Sequence, residues 1–322
     1  SRVRLARNLV GYPFPNKMSL EQKYEVIQKV SDVILSESSP YYDKFRFYDM
    51  DKISHVEALS MVERHLISHD FAQNGQGRAL LLNDDETISI MINEEDHLRI
   101  QVIKSGLQLT EAYAIADELD NKLSEKLNFA FSEKLGYLTQ CPTNLGTGMR
   151  ASLMLHLPAL KNTRALSKIA TNLSKLGLTI RGIYGENSDS VGALYQLSNQ
   201  VSLGISERAA IENLKNIATQ LVSQEIKARD RMVSDINTVD TICRSLGILK
   251  NARVVDHNEA MNLLSNLRLG VAQKIIDSLS LDSIDKLICD IQPASIMEQS
   301  GESLTPQQRD IKRADYLRER LN

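Results

Sequence analysis

The sequence predicts an α+β fold, an antiparallel sheet flanked by helices, followed by a small all-helical domain. Three observations predict it. Arg78–Asn83 and Thr87–Asn93 are short apolar runs on either side of the polar Asp84–Glu86, the pattern of an antiparallel hairpin. Segments with apolar residues at three- and four-residue spacing interleave with such runs, as expected of helices that cover a sheet. After Ser206 the strand pattern ceases and helical spacing continues to the end of the chain.

Taken in order, Arg2 and Arg4 alternate, so on an extended chain both point to one face. Ser19 and Gln22 have capping-box spacing ahead of Tyr24, Val26, Ile27, Val30, Val33 and Ile34, which predicts a helix over 19–36. A second helix is expected over 54–67, then the hairpin, then a strand over Leu98–Lys104. Thr110 opens an amphipathic helix that runs to about Leu127. A loop of Thr, Asn and Gly over 143–148 leads into a stretch read as helical. Leu178–Ile183 and Ala193–Ser198 read as strands joined by a Gly-containing loop. Ser206 to about Met232 is one long helix, followed by shorter ones near 233–247, 257–268, 270–279, 281–290 and 305–321. The change of pattern places a boundary near 232, with a mixed domain over 1–232 and a helical domain over 233–322.

With 322 residues, 42% hydrophobic and 25% charged, the composition is that of a globular protein with room for one large and one small domain. No apolar run approaches the roughly 18 residues of a membrane span, and no signal peptide is visible. Cys141, Cys243 and Cys289 are sparse and far apart, which fits a reducing, cytoplasmic setting rather than disulfides or a metal site. A net charge of −3 argues against a dedicated nucleic-acid binder. Neither GxxxxGK[ST] nor GxGxxG occurs, and the H-R-D and D-F-G pair of protein kinases is absent.

Four segments carry charge that folding alone does not require. Ser1-Arg2-Val3-Arg4 sets two forked guanidiniums on one face, which suits a polyphosphate. Asn93-Glu94-Glu95-Asp96-His97-Leu98-Arg99 puts three acids and an arginine at the end of an apolar strand. Cys141 to Arg150, CPTNLGTGMR, is a loop able to present backbone N–H groups to an anion. Arg181-Gly182-Ile183-Tyr184-Gly185-Glu186 runs from a strand into a loop with a carboxylate. Singly these read as a basic terminus, a solvated turn, a plain loop and a tight hairpin.

Together, in this order, the strings SRVR, NEEDHLR, CPTNLGTGMR and RGIYGE resemble the phosphagen (guanidino) kinases over about residues 1–230, and most closely the bacterial protein arginine kinases. The resemblance implies the phosphagen-kinase catalytic fold and phosphoryl transfer from ATP, with Mg2+, to a guanidinium. It implies that Glu95 and Glu186 hold the guanidinium, one of them as base, with Cys141 beside it as an electrostatic helper. ATP would be contacted by Ser1, Arg2, Val3 and Arg4, by His65 beside adenine and by Arg99. Arg150, Ala151, Ser152, Leu153 and Met154, then Arg181, Gly182, Ile183, Tyr184, Gly185 and Glu186, would complete that site. Small-guanidine kinases carry a helical domain ahead of SRVR, which here stands at residue 1, and they lack a helical domain after the catalytic one; both features imply an acceptor arginine on a protein.

Arg309 and Arg313 lie four apart on the last predicted helix and share a face. RDxxRA resembles a phosphoarginine-sensing pocket of Arg309, Asp310, Arg313 and Ala314. The family context implies stress response, inactivation of a heat-shock repressor, marking of proteins for a Clp protease, an activator protein and a homodimer, without direct nucleic-acid or membrane binding. Two rival readings are a kinase of free arginine or another small guanidine, and a catalytically silent phosphoarginine-binding regulator.

Overall fold

The computed structural model describes residues 1–183 and 190–322. It resolves into two compact units, Ser1–Leu153 with Ser198–Asn216, and Met154–Leu197 with Ile217–Asn322. Residues on both sides of position 232 therefore share the second unit.

The chain begins with β1 (Arg2–Arg7), α1 (Leu20–Leu35), β2 (Phe45–Asp49), α2 (His55–Glu63) and α3 (His69–Gln73). The hairpin β3 (Ala79–Asn83) and β4 (Ile88–Ile92) follows, then β5 (Leu98–Ile103), α4 (Leu109–Ser124) and the short pair β6 (Phe131–Ser132) and β7 (Gly136–Tyr137). β8 (Met149–His156) leads to α5 (Pro158–Asn162), α6 (Leu166–Lys175), β9 (Leu178–Gly182) and β10 (Leu194–Asn199). The remainder is helical: α7 (Glu207–Val233), α8 (Ile236–Asn251), α9 (His257–Ala272), α10 (Leu281–Asp290), α11 (Pro293–Ser300) and α12 (Pro306–Leu321).

In the first unit the strand order is β2-β3-β4-β5-β1-β8, with each neighbouring pair antiparallel. The central strands are nearly continuous apolar runs because both faces are covered. Leu80, Ile90, Ile92, Ile100 and Val102 are all buried, and α4 packs across β1 and β5 through Leu109, Ala112 and Ala116. α1 begins at the expected capping box, Ser19 accepting from the Gln22 N–H and Gln22 from the Ser19 N–H. In the second unit β8, β10 and β9 are neighbours in that order. Its core joins Ile242 and Leu249 of α8, Met261 and Leu264 of α9, Ile284 of α10 and Leu317 of α12.

Two expectations are corrected and one helix is added. The stretch after Gly148 is the strand β8, not a helix: its helix-forming Met, Ala and Leu residues pair with β1, Arg4 opposite Arg150 and Val3 opposite Ala151, and this pairing overrides local propensity. No separate helix fills 270–279. Gly270 lies inside α9 with its Cα turned to Ile242, where a Cβ would come within 2.5 Å of the isoleucine methyl, and the chain leaves the helix near Lys274 at φ +56°. α11 was not anticipated, although Pro293 at its first position and Gly301 as a left-handed cap mark both ends. Among the described residues no helix is long and apolar enough to cross a membrane.

Both units bury histidines that stay neutral. His156 bonds to Ser265 at 2.8 Å, and burial, then Arg268 and Arg229, push it well below the ordinary histidine range. Burial and Arg2 push His65 down to about 4, and burial lowers His97. The unfolded chain protonates these rings near pH 6.5 and the folded chain does not. Folding stability should therefore fall from pH 6.5 to 5.5, by about 1 kcal/mol for each of His65 and His156, with His97 acting in the same direction. Urea denaturation at the two pH values checks this; equal stability at both contradicts it.

Candidate functional site

β1, β5 and β8 lie side by side and deliver four arginines to one place. Arg4 sits opposite Arg150, Arg2 opposite Ser152, and Arg99 opposite Ala6. Like charges directly across a sheet repel. Burial first, then Arg99 and Arg150, bring Arg2 down to about 10. Burial, then Arg2, Arg99 and Arg150, hold Arg4 well below its ordinary value, with only Glu94 acting the other way. The Nε of Arg4 is buried without an acceptor among the described residues. A cluster of buried, mutually repelling guanidiniums fits a polyanion such as the phosphates of ATP.

The turn Asn93–His97 gives each acid a separate task. Asn93 adopts φ +62°, a region asparagine tolerates, and its side-chain amide donates to the carbonyls of Lys23 and Gly77, both at 3.0 Å. Glu94 pairs with Arg99 at 2.5 Å and accepts from Ser68. Asp96 accepts from Asn8 at 2.6 Å and from the Gln140 N–H at 2.8 Å, a structural cross-link. His97 accepts the Leu9 N–H at Nδ1, which leaves Nε2 to donate to the Pro13 carbonyl at 2.8 Å. Glu95 turns its carboxylate to the cavity that the arginines line, 3.8 Å from Arg99. Burial raises its pKa above the ordinary carboxylate value, Asp96 and Glu94 add to this, and Arg99 and a hydrogen bond from Cys141 oppose it.

That cavity, about 80 Å³, is lined by Arg4, Arg99 and Arg150 with Glu95, Cys141 and Asn144. The Cys141 sulfur lies 3.0 Å from the Thr143 hydroxyl. Two residues the sequence did not single out fix this loop. The Ser202 hydroxyl lies 2.8 Å from the carbonyls of both Thr143 and Leu145, which share its one proton, and its backbone carbonyl accepts the Thr147 N–H at 3.2 Å. Arg7 grips Asp120 at 2.7 Å, donates to the Thr147 carbonyl at 3.1 Å and stacks 3.4 Å above the Tyr137 ring. At Gly148, φ +63°, a Cβ would lie 2.6 Å from the Ala6 carbonyl, so only glycine lets β8 start beside β1. The spacing of Arg7 after Arg4 was visible in the sequence; the partners of Ser202 had no local signal.

His65 closes α2 at φ +63°, a left-handed cap usually given to glycine, and its carbonyl accepts from Gln101 at 2.9 Å. Ser1 accepts from the Gln108 N–H. The Val3 side chain points into the core, as do Ala151 and Leu153, while Ser152 meets the Arg2 Nε at 3.4 Å. In the second unit Met154 and Arg181 are exposed, Gly182 ends β9, and Ile183 follows it. Tyr184, Gly185 and Glu186 lie outside the described residues. Arg309 donates to the Leu304 carbonyl at 3.1 Å. Arg313 is only 1% exposed and spends its guanidinium on the carbonyls of Ile291 and Val255 and on Asp310. Ala314 is buried beside it, so Arg309 and Asp310 are the members solvent reaches.

Residues 25–228 match the family model of the ATP:guanido phosphotransferase C-terminal catalytic domain. The chain belongs to that family. Residues 235–322 of this guanidino phosphotransferase match the protein-arginine kinase McsB C-terminal domain. It is 48% identical to a protein-arginine kinase of Halothermothrix orenii over 324 residues, covering all of this chain and 92% of that one. A protein-arginine kinase of Clostridium acetobutylicum is 45% identical, covering all of this chain and 95% of its own. Among solved structures, the duplicated taurocyamine kinase of Schistosoma mansoni superposes with a TM-score of 0.62 at 25% identity, over 95% of this chain and 40% of that one. A lombricine kinase superposes with a TM-score of 0.60 at 24% identity, over 70% and 65% of the two chains, which speaks for the fold alone. The guanidino phosphotransferase thus has the α+β architecture expected of it.

Proposed function

We propose that the chain transfers the γ-phosphoryl group of ATP to arginine side chains of proteins. The observation that carries this is Glu95, a carboxylate of raised pKa facing a cavity whose other wall is arginine. A guanidinium is protonated up to a pKa above roughly 12 and has no free lone pair to attack with. Glu95 takes an N–H proton, the freed nitrogen bonds to the γ-phosphorus, and the bond to the β-phosphate oxygen breaks to release ADP. Arg2, Arg4, Arg99 and Arg150 hold the phosphates and stabilise the oxygens of the moving group. By family resemblance Arg181 joins them, Glu186 takes the other edge of the guanidinium, and His65 lies by adenine. Mg2+ would be held chiefly by the phosphates.

The acceptor is read as a protein from the relatives named protein-arginine kinase and the matched C-terminal domain. On the same reading the protein is cytoplasmic and homodimeric and serves stress response, with an activator, a heat-shock repressor among its substrates and delivery of marked proteins to a Clp protease. Phosphoarginine would bind as effector at Arg309 and Asp310, over Arg313 and Ala314.

Mass spectrometry of a mixed protein pool incubated with ATP and Mg2+ tests this. Acid-labile phosphate on arginines is expected, at a rate that free phosphoarginine alters in the wild type but not in Arg309→Ala. Turnover of free arginine with unmodified proteins would sink the protein acceptor; ATP binding without any transfer would sink the catalytic reading.

A further inference from the structure

A second cavity, about 720 Å³, opens beside the first. The two share Glu95 and Arg99, so the proton-taking carboxylate stands where they meet. Cavities of roughly 300–1,000 Å³ enclose drug-sized ligands, so one guanidinium fills little of this groove.

Its lining has an unmet need. Asn93 is 1% and Glu94 8% exposed, and Asn93 Oδ1 and Glu94 Oε2 are buried without a hydrogen-bond donor among the described residues. Gln140 Oε1, on the same lining, is in the same state. Leaving a buried acceptor unpaired is unfavourable, so three in one groove call for a ligand that brings N–H groups. The rim does not choose by charge, since Lys23 and Arg78 stand there with Asp70. Arg78 is already committed, donating to the carbonyls of Asn93 at 3.1 Å and Asp70 at 2.5 Å, which makes the wall rigid. A rigid groove with several acceptors and mixed charge suits an extended main chain, which offers N–H groups whatever its side chains are.

We propose that this groove binds the polypeptide flanking the acceptor arginine, main-chain N–H groups donating to Asn93, Glu94 and Gln140. The inference rests on the protein-acceptor reading above. It makes recognition depend on chain length and backbone rather than on flanking side chains.

Steady-state kinetics of the full chain with ATP and Mg2+ tests it on a graded series: free arginine, N-acetyl-arginine amide, and alanine-flanked peptides of three, five and seven residues with a central arginine. KM should fall about tenfold or more from N-acetyl-arginine amide to the five-residue peptide, with kcat nearly constant, as two or three added hydrogen bonds imply. N-methylation of the flanking amides should return most of that gain. Gln140→Leu should flatten the length dependence, while Gln140→Glu, which keeps an acceptor oxygen, should retain it. Peptides phosphorylated with one KM at every length, or indifferent to N-methylation, overturn the groove and leave the protein-acceptor reading standing. Phosphorylation of free arginine alone overturns both.

Discussion

Glu95→Gln should lower kcat by about 10²–10⁴-fold, the contribution typical of a positioned base, with ATP affinity close to that of the wild type. The amide keeps the size and one acceptor oxygen of the carboxylate but cannot take the guanidinium proton. ATP affinity should survive because Arg99 is paired with Glu94 at 2.5 Å and stands 3.8 Å from Glu95. The same carboxylate should set the acidic limb of the pH profile. Burial and Asp96 raise its pKa, so the rate should decline, as pH falls, at a higher pH than the 4.5 of an ordinary glutamate would give. Nucleotide binding measured by calorimetry beside kcat separates the two roles. If kcat and ATP affinity fell together, Glu95 would belong to the nucleotide site and not to proton transfer.

How much of this was legible beforehand depends on the range of the interaction. The capping box of α1 and the β3–β4 hairpin are written in neighbouring residues, and both formed where expected. The strand β8 was misread because Met149–His156 favours a helix locally and becomes a strand only against β1, some 150 residues earlier in the chain. The site divides the same way. The arginines and Glu95 stand in strings whose residue types already spell out phosphate and guanidinium chemistry. Ser202, a serine in a plain loop, matters only because folding brings its hydroxyl to Thr143 and Leu145. Arg313 shows the converse. Its spacing from Arg309 gives a shared helix face, and the fold covers that face at Arg313, where backbone carbonyls take its donors. Spacing gives the face of a helix and not what covers that face.

Arg4→Met should make the ligand-free protein more stable and the enzyme far slower. Arg4 is buried among Arg2, Arg99 and Arg150, and both burial and those neighbours disfavour its charge. Its ordinary value lies far above neutral pH, so it is charged in the unfolded chain at no cost and charged in the folded chain at a penalty. Replacing a buried, poorly compensated charge by an apolar side chain of similar length is neutral to stabilising, here by about 1–2 kcal/mol. In a domain of this size that raises the melting temperature by roughly 2–8 °C. The loss appears on reaction, since removing one preorganised donor from a developing oxyanion costs about 10²–10³-fold in kcat. ATP should also stabilise the variant less than the wild type, because binding stabilises in proportion to RT ln(1 + [L]/Kd) and the variant binds the phosphates more weakly. Melting curves with and without ATP, set beside kcat, read all three effects. A variant that melts lower than the wild type without ATP, yet gains as much from ATP, would mean that Arg4 is a structural residue and that its neighbours alone carry the phosphates.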